Sequence, residues 1–585
     1  MRRAPIVTMA VVATALVAAA CGGPTGARVV DRTGPDASTG EVAEPVVGTP
    51  APPARRPNIV FVLMDDFSMD LLRTMRSARF MARHGASYDN AFVVDSLCCV
   101  SRSATFTGQY PHQTGVLTNT TNLPNRLGPI GGWRGFARYG NQARTFAVGL
   151  QEAGYVTGYV GKYLNGYEVD ARDQLMPPVP PGWSDFRAIF GTAYDGWDFQ
   201  GTRPGPKGTS VLRSWPAPPR SAPQRKRDRA YAGTVIGSLA MKFLRAHRHD
   251  PRPYFLEVAP YAPHSRVDTH PAYADERLFP AAFRDQPGGG LPRGDCGLVD
   301  CRDLTTADLP GFGDRRADNR PDFADGRRSP RWNTDPLTLS TAQAQTNLRD
   351  RARMAQSVDR MVMRILHTVD ANTYVVLTSD NGFHLGQLGL LRGKGTAYDT
   401  DTHVPVLVVG PGVVPGPRTT MVSNIDWAPT FEQLAGVPTP AFRSGVSLVP
   451  TLTDPAEPLQ DYVYFEHTFS LSRPGTDPDR PFTGGGLNVI PSYVAVRSRT
   501  ALLVRNDLDP RWGHHRYAYE FYDYAGQGTP GRAWERTNQF DDPAYAGEVA
   551  TLMAKLAQFD SCARLRGSDP VPDRCRSLTQ ELALG

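Results

Sequence analysis

The chain has 585 residues, a formal net charge of +6, and 40% hydrophobic against 21% charged residues. That balance excludes an intrinsically disordered chain and gives too little positive charge for nucleic-acid binding. The length suits one large domain and a smaller one.

Residues 1–20 read as a secretion signal. Arg2 and Arg3 form the charged end, and Ile6 to Ala20 is almost wholly apolar but short for a membrane span. Ala18-Ala19-Ala20-Cys21-Gly22 is similar to a bacterial lipoprotein cleavage box, with Cys21 as the lipid-bearing residue. The expectation is an exported, extracytoplasmic lipoprotein of a bacterium. Residues 21–56, rich in Gly, Pro, Ala and Thr, read as a flexible tether.

The run Ile59 to Met64 predicts a strand buried on both faces, and it ends at Asp65-Asp66. A helix is predicted over 68–84 and a strand over 91–94. In Ser96-Leu97-Cys98-Cys99-Val100-Ser101-Arg102-Ser103, a helix is expected from Ser101, with Ser101 and Ser103 as candidate caps. Cys98 then lies at or just before a helix N-terminus, where negative charge is favoured.

A helix over 145–152 leads to a strand over 155–160, followed by Gly161-Lys162. The Pro-, Gly- and Arg-rich stretch from Gly201 to Arg229 reads as loop. A helix over 231–247 precedes a strand over 254–258, which leads to Ala262-Pro263-His264. Residues 268–335 form a long irregular insertion, whose arginines from Arg315 to Arg331 read as a solvated loop. A helix over 339–369, a strand over 374–378 ending at Ser379-Asp380-Asn381-Gly382, a strand over 404–409 and a helix over 426–435 follow.

Strands alternating with helices predict an α/β body over 57–446, with a large, mostly parallel sheet flanked by helices. Residues 447–585 read as a smaller C-terminal α+β subdomain. It has strands at 462–465, 493–497 and 500–504 and a helix over 546–559.

Seven cysteines sort by spacing. Cys296 and Cys301 can close a small loop, as can Cys562 and Cys575, and export permits such bridges. Adjacent Cys98 and Cys99 remain. The chain has six lysines, so Lys162 and Lys394 carry weight inside their motifs. In open α/β sheets ligands sit beyond the carboxyl ends of strands. Asp65, Asp66, Asp380 and Asn381 follow predicted strands and offer only oxygen, which suits calcium or magnesium.

Cys98-Cys99-Val100-Ser101-Arg102 resembles the sulfatase signature Cys-x-Pro-Ser-Arg, with Val100 where proline is usual. Pro57-Asn58-Ile59 to Asp65-Asp66, Gly161-Lys162, Ala262-Pro263-His264, Ser379-Asp380-Asn381-Gly382 and Gly393-Lys394-Gly395-Thr396 match in the family's order. Three stretches look most like N-acetylglucosamine-6-sulfatases: Gly161-Lys162-Tyr163-Leu164-Asn165, Val179 to Trp183, and Asn424-Ile425-Asp426. Leu164 stands where many sulfatases have histidine.

The resemblance implies an alkaline-phosphatase-like fold and sulfate ester hydrolysis, with sulfated sugars as substrates. It implies that a formylglycine-generating enzyme oxidises Cys98 to formylglycine. It also implies that Asp65, Asp66, Asp380, Asn381 and the modified Cys98 hold calcium. Arg102, Lys162 and Lys394 would neutralise the sulfate, and His264 would serve the leaving alcohol. Val100 and Leu164 motivate one alternative, a catalytically silent lipoprotein that binds sulfated glycans. A phosphodiesterase or phosphonate hydrolase of the same superfamily is another.

Overall fold

The computed structural model describes residues 56–119, 131–170, 175–267, 272–275, 278–279, 295–314, 318–333, 338–468, 479, 490–509, 514–525 and 535–580. The expected signal and all but the last residue of the tether lie outside the described residues, as does Cys21. No helix among the described residues is long and apolar enough to cross a membrane.

Ten strands form the main sheet. In chain order they begin with β1 (Asn58–Met64), β2 (Ala86–Phe92), β3 (Val156–Lys162), β4 (Asp185–Ile189), β5 (Phe199–Pro204), β6 (Ser210–Trp215) and β7 (Tyr254–Ala259). A small hairpin, β8 (Asp295–Cys296) and β9 (Val299–Asp300), precedes β10 (Thr373–Ser379). A second hairpin, β11 (His384–Leu385) and β12 (Arg392–Gly393), precedes the last two sheet strands, β13 (Leu407–Val409) and β14 (Gly416–Ser423). The sheet order is β14-β2-β13-β10-β1-β7-β3-β4-β5-β6. From β10 to β4 every pairing is parallel. The edges bring in antiparallel strands, so the sheet is mixed with a parallel centre.

β1 shows why the centre forms. Ile59, Phe61 and Leu63 enter one apolar cluster, and Val60, Val62 and Met64 enter the cluster on the opposite face. Alternate side chains point to opposite faces, so a strand apolar at every position must be covered on both sides. The 26-residue helix Thr341–Leu366 covers one face, with Leu348, Val358, Val362 and Ile365 fully buried. Ser340 caps it, accepting from the Gln343 N–H, and the Gln343 side chain answers as a capping box.

Several expectations are corrected. The 201–229 stretch is not loop: it holds most of β5, all of β6 and the helix Gln224–Arg229. Pro and Gly there mark the turns of an antiparallel extension rather than the absence of strands. The helix expected over 68–84 is a 3₁₀ turn, Met69–Thr74, followed by a helix over Arg76–His84. Strands β4 and β14 escaped the sequence reading. The disulfides Cys296–Cys301 and Cys562–Cys575 are both formed, and Cys98 and Cys99 are free and buried.

The C-terminal region adds an antiparallel four-stranded sheet: β15 (Val463–His467), β16 (Ser492–Arg497), β17 (Ala501–Asp507) and β18 (Tyr517–Asp523). One face packs on the helix Ala546–Cys562 through Tyr464, Val496, Leu503 and Phe521. The other face packs Phe465, Leu502 and Tyr522 against Phe92, Tyr398 and Met421 of the main body.

Candidate active site

The four central parallel strands β10, β1, β7 and β3 are consecutive in the sheet, and each ends at a motif. Met64 pairs with Ser379, so Asp65-Asp66 and Asp380-Asn381 leave the sheet side by side. Gly161 pairs with Ala259, so Lys162 and the chain leading to His264 leave together. Lys394 comes from the β11–β12 hairpin, where His384 pairs with Gly393. Asp401, fully buried, holds that hairpin's exit by accepting from His384 Nδ1 and from the Thr396 N–H and hydroxyl.

Cys98 is the first residue of the helix Cys98–Thr107, every residue of which is buried. The helix therefore starts three residues before Ser101, and its N-cap is Leu97. Ser101 and Ser103 do not cap it. Instead Asn424 Nδ2 donates to the Ser101 carbonyl, the Ser101 hydroxyl and the Thr105 hydroxyl, each at 3.0 Å. Asn424 thus ties the helix to the 3₁₀ turn Asn424–Asp426 after β14.

Lys394 Nζ lies 2.6 Å from Cys98 Sγ and 3.3 Å from Asn381 Oδ1, and it also donates to Asp66 Oδ1. Lys162 Nζ lies 2.7 Å from Asp65 Oδ1 and 3.7 Å from Asp380 Oδ2. Arg102 Nε donates to Asp380 Oδ2 at 2.8 Å, with both side chains fully buried. Cys98 Sγ is 3.5 Å from Asp65 Oδ1 and 3.8 Å from Asp66 Oδ1. His264 Nε2 is 3.5 Å from Asp66 Oδ2, while its Nδ1 lies 2.6 Å from the Ser265 carbonyl. With Nδ1–H on that carbonyl, Nε2 is the nitrogen turned to the site.

Three carboxylates thus meet three cations in a space closed to solvent. Burial would raise the Asp66 pKa, but Lys394, His264 and Lys162 hold it well below the usual range. Asp65 is raised, burial outweighing Lys162. Burial also pushes the Cys98 thiol far up, against Lys162 and Lys394. The two ammonium groups are pushed up by their anionic neighbours, so both stay charged.

The donor set fits a hard divalent cation. Asp65, Asp66, Asp380 and Asn381 present oxygen atoms at one place, and Asp65 Oδ2 is buried with no hydrogen-bond partner among the described residues. One ligand atom each from Asp65, Asp66, Cys98 and His264 lies within 4.8 Å of the others. Asp66 has φ +58°, a left-handed conformation that costs energy in a non-glycine residue.

Two residues at the site were not read from the sequence. Tyr194, from the 3₁₀ turn Gly191–Asp195, packs against His264 with ring centroids 4.3 Å apart and the planes tilted by 45°, and it faces Lys162 Nζ at 5.3 Å. Arg351, from the long helix, donates to the Asp66 and Pro263 carbonyls and lies over the Phe383 ring. It ties three of the strand-end loops together. Neither stands in a motif, and no local spacing marks it. Leu164 is buried in the aromatic cluster with Tyr159, Tyr163 and Trp183.

A sheet of this order, with its functional groups gathered at the ends of adjacent parallel strands, defines an α/β protein with a buried cluster of carboxylates and cations at the strand ends. The Sulfatase family model matches residues 57–437, and the chain belongs to the sulfatase family. It is 30% identical over 424 residues to an extracellular sulfatase SULF-1 homolog of Drosophila melanogaster, covering 70% of this chain and 32% of that protein. It is 28% identical over 420 residues to human N-acetylglucosamine-6-sulfatase, covering 68% and 64%. The match spans 32% and 64% of the length of these two relatives. Among solved structures, BT4656 in complex with its substrate D-glucosamine-2-N,6-O-disulfate superposes with a TM-score of 0.58 at 20% identity. That match covers 88% of this chain and 99% of the other.

Proposed function

We propose that the protein hydrolyses sulfate esters of sugars, with Cys98 as the precursor of the nucleophile. The observation that carries this reading is the meeting of Cys98, three carboxylates and three cations at one strand-end cluster. Family membership and the relatives named for N-acetylglucosamine-6-sulfatase activity support the same chemistry.

Cys98, oxidised to formylglycine by a formylglycine-generating enzyme, would supply a hydrated aldehyde as the nucleophile. Asp65, Asp66, Asp380 and Asn381 would hold calcium, which would supply Lewis acidity toward the sulfate. Lys162, Lys394 and Arg102 face the negative charge of the sulfate oxygens. Arg102 acts from a fixed pose, because Asp380 and the Lys162 carbonyl hold it. His264 Nε2 would hand a proton to the leaving alcohol, with the tilted Tyr194 ring packed against the imidazole.

Three cations against three anions leave the cluster near neutrality. A divalent cation adds two positive charges and a sulfate monoester one negative charge, so the ester offsets part of the metal's charge as both are desolvated. Export, with a lipid on Cys21, completes the reading; the Drosophila relative is named extracellular.

The test is sulfate release from N-acetylglucosamine 6-sulfate, with mass spectrometry of the Cys98 peptide. The expected result is an aldehyde-mass peptide and turnover that falls about 10³-fold or more in Cys98→Ala. Binding of sulfated glycan without release would establish the silent-lectin alternative. Faster turnover of an aryl phosphodiester than of the aryl sulfate would establish the phosphodiesterase one.

A further inference from the structure

β7 carries a carboxyl that this chemistry does not use. Glu257 is fully buried, and neither of its oxygens has a hydrogen-bond partner of ordinary length among the described residues. It sits mid-sheet, opposite Phe61 of β1 and Tyr159 of β3. Phe255 and Ala259, two positions away on either side, lie in the aromatic cluster on that face. The charged or titratable groups facing Glu257 are Arg102 from the Cys98 helix, Tyr159 from β3 and Tyr163 from the turn after it. A carboxyl among aromatic rings is costly unless it is neutral or hydrogen-bonded.

The neighbours connect it to the site. The Tyr159 hydroxyl, beside Glu257, donates to the Lys162 carbonyl. Arg102 Nη1 donates to the same carbonyl at 3.0 Å, while Nε holds Asp380. Arg102 Nη2 is buried without a hydrogen-bond partner among the described residues. One carbonyl oxygen, next to the Lys162 side chain, is therefore fixed by two donors, and Glu257 touches both of their environments.

We propose that Glu257 is a positioning residue: as a neutral acid, acting through Tyr159 and Arg102, it sets the pose of Lys162 and of the Arg102–Asp380 pair. This rests on reading Lys162 and Arg102 as sulfate ligands. A protonated carboxyl beside Tyr159 has an O–H to offer the Tyr159 oxygen, which leaves the Tyr159 proton for the Lys162 carbonyl. On ionisation the proton leaves to solvent, and the carboxylate can only accept. It then competes for the Tyr159 proton and attracts the unengaged Arg102 Nη2. Both pulls loosen the Lys162 carbonyl and turn Arg102 from Asp380. Burial raises the Glu257 pKa to about 8, against the opposing pull of Arg102, so the neutral form prevails at pH 7.

The test compares wild type, Glu257→Gln, Glu257→Leu and Tyr159→Phe from pH 6 to 9.5. Two quantities are read: kcat/KM for N-acetylglucosamine 6-sulfate, and the affinity for inorganic sulfate by calorimetry. Wild type is expected to lose about tenfold in both through a limb near pH 8. Glu257→Gln keeps a donor that does not titrate, so it retains most of the pH 7 value and lacks the limb. Glu257→Leu and Tyr159→Phe are expected to be about tenfold weaker at pH 7, also without the limb. An unchanged limb in Glu257→Gln overturns the proposal, as does a Tyr159→Phe variant that behaves as wild type. If wild type releases no sulfate, the sulfatase reading fails on its own, and the sulfate affinities still decide the role of Glu257.

Discussion

Arg102 and Asp380 are both fully buried and 2.8 Å apart, so neither can lose its partner cheaply. Breaking such a pair strands a charge and costs about 3–5 kcal/mol. Arg102→Ala is therefore expected to lower stability to denaturant by that amount and to abolish sulfate release. Gly161 is a second sensitive residue. It adopts φ +121°, and a Cβ there would lie 2.0 Å from the Ala259 carbonyl oxygen. Gly161→Ala should cost about 2 kcal/mol or more and displace Lys162, seen as a lower Tm together with a raised KM. At this scale the motif residues were legible because each follows an apolar run: Asp65-Asp66, Lys162, His264 and Asp380-Asn381 were all found that way. Tyr194, Arg351 and Glu257 were not. Each reaches its neighbours through tertiary packing, and a buried glutamate inside Tyr254–Ala259 looks in sequence like any polar break in a strand.

The helix Cys98–Thr107 shows what an element adds. Sequence chemistry places its start at the serines, yet it starts at Cys98, since Asn424 occupies the Ser101 hydroxyl and carbonyl from 323 residues away. Local capping preference lost to a tertiary clamp. Asn424→Ala removes three donated hydrogen bonds from a buried helix, those to the Ser101 carbonyl and to the Ser101 and Thr105 hydroxyls. It is expected to cost about 2–4 kcal/mol, read by urea denaturation, and to slow turnover by disturbing Cys98. Strand composition revealed β1, β3, β7 and β10, whose largely apolar runs match burial on both faces. It missed β5 and β6, which are half exposed, and Pro204 and Gly205 at their turn looked like loop.

Over the whole molecule, order in the sheet could not be read from the chain. That β10, β1, β7 and β3 are neighbours is a fact of topology, and it is what turns separate motifs into one cluster. The C-terminal sheet braces the same region. Tyr398, just after the Lys394 loop, donates to the buried Glu520 of β18, which also accepts from Trp332, Tyr522 and Asn506. The Cys562–Cys575 bridge closes a loop with a sequence separation of 13 beside the C-terminal helix. Replacing both cysteines by serine should cost about 3 kcal/mol, measured as a shift in the denaturation midpoint.

Two distant strand-end loops, Asp65-Asp66 and Asp380-Asn381, would hold one hard cation beside Cys98, and calcium titration into chelator-treated protein tests this most directly. One calcium per chain is expected by calorimetry, with binding weakened at least about 100-fold in both Asp66→Ala and Asp380→Ala. A wild-type isotherm that both variants reproduce unchanged, or calcium that binds neither form, would contradict it.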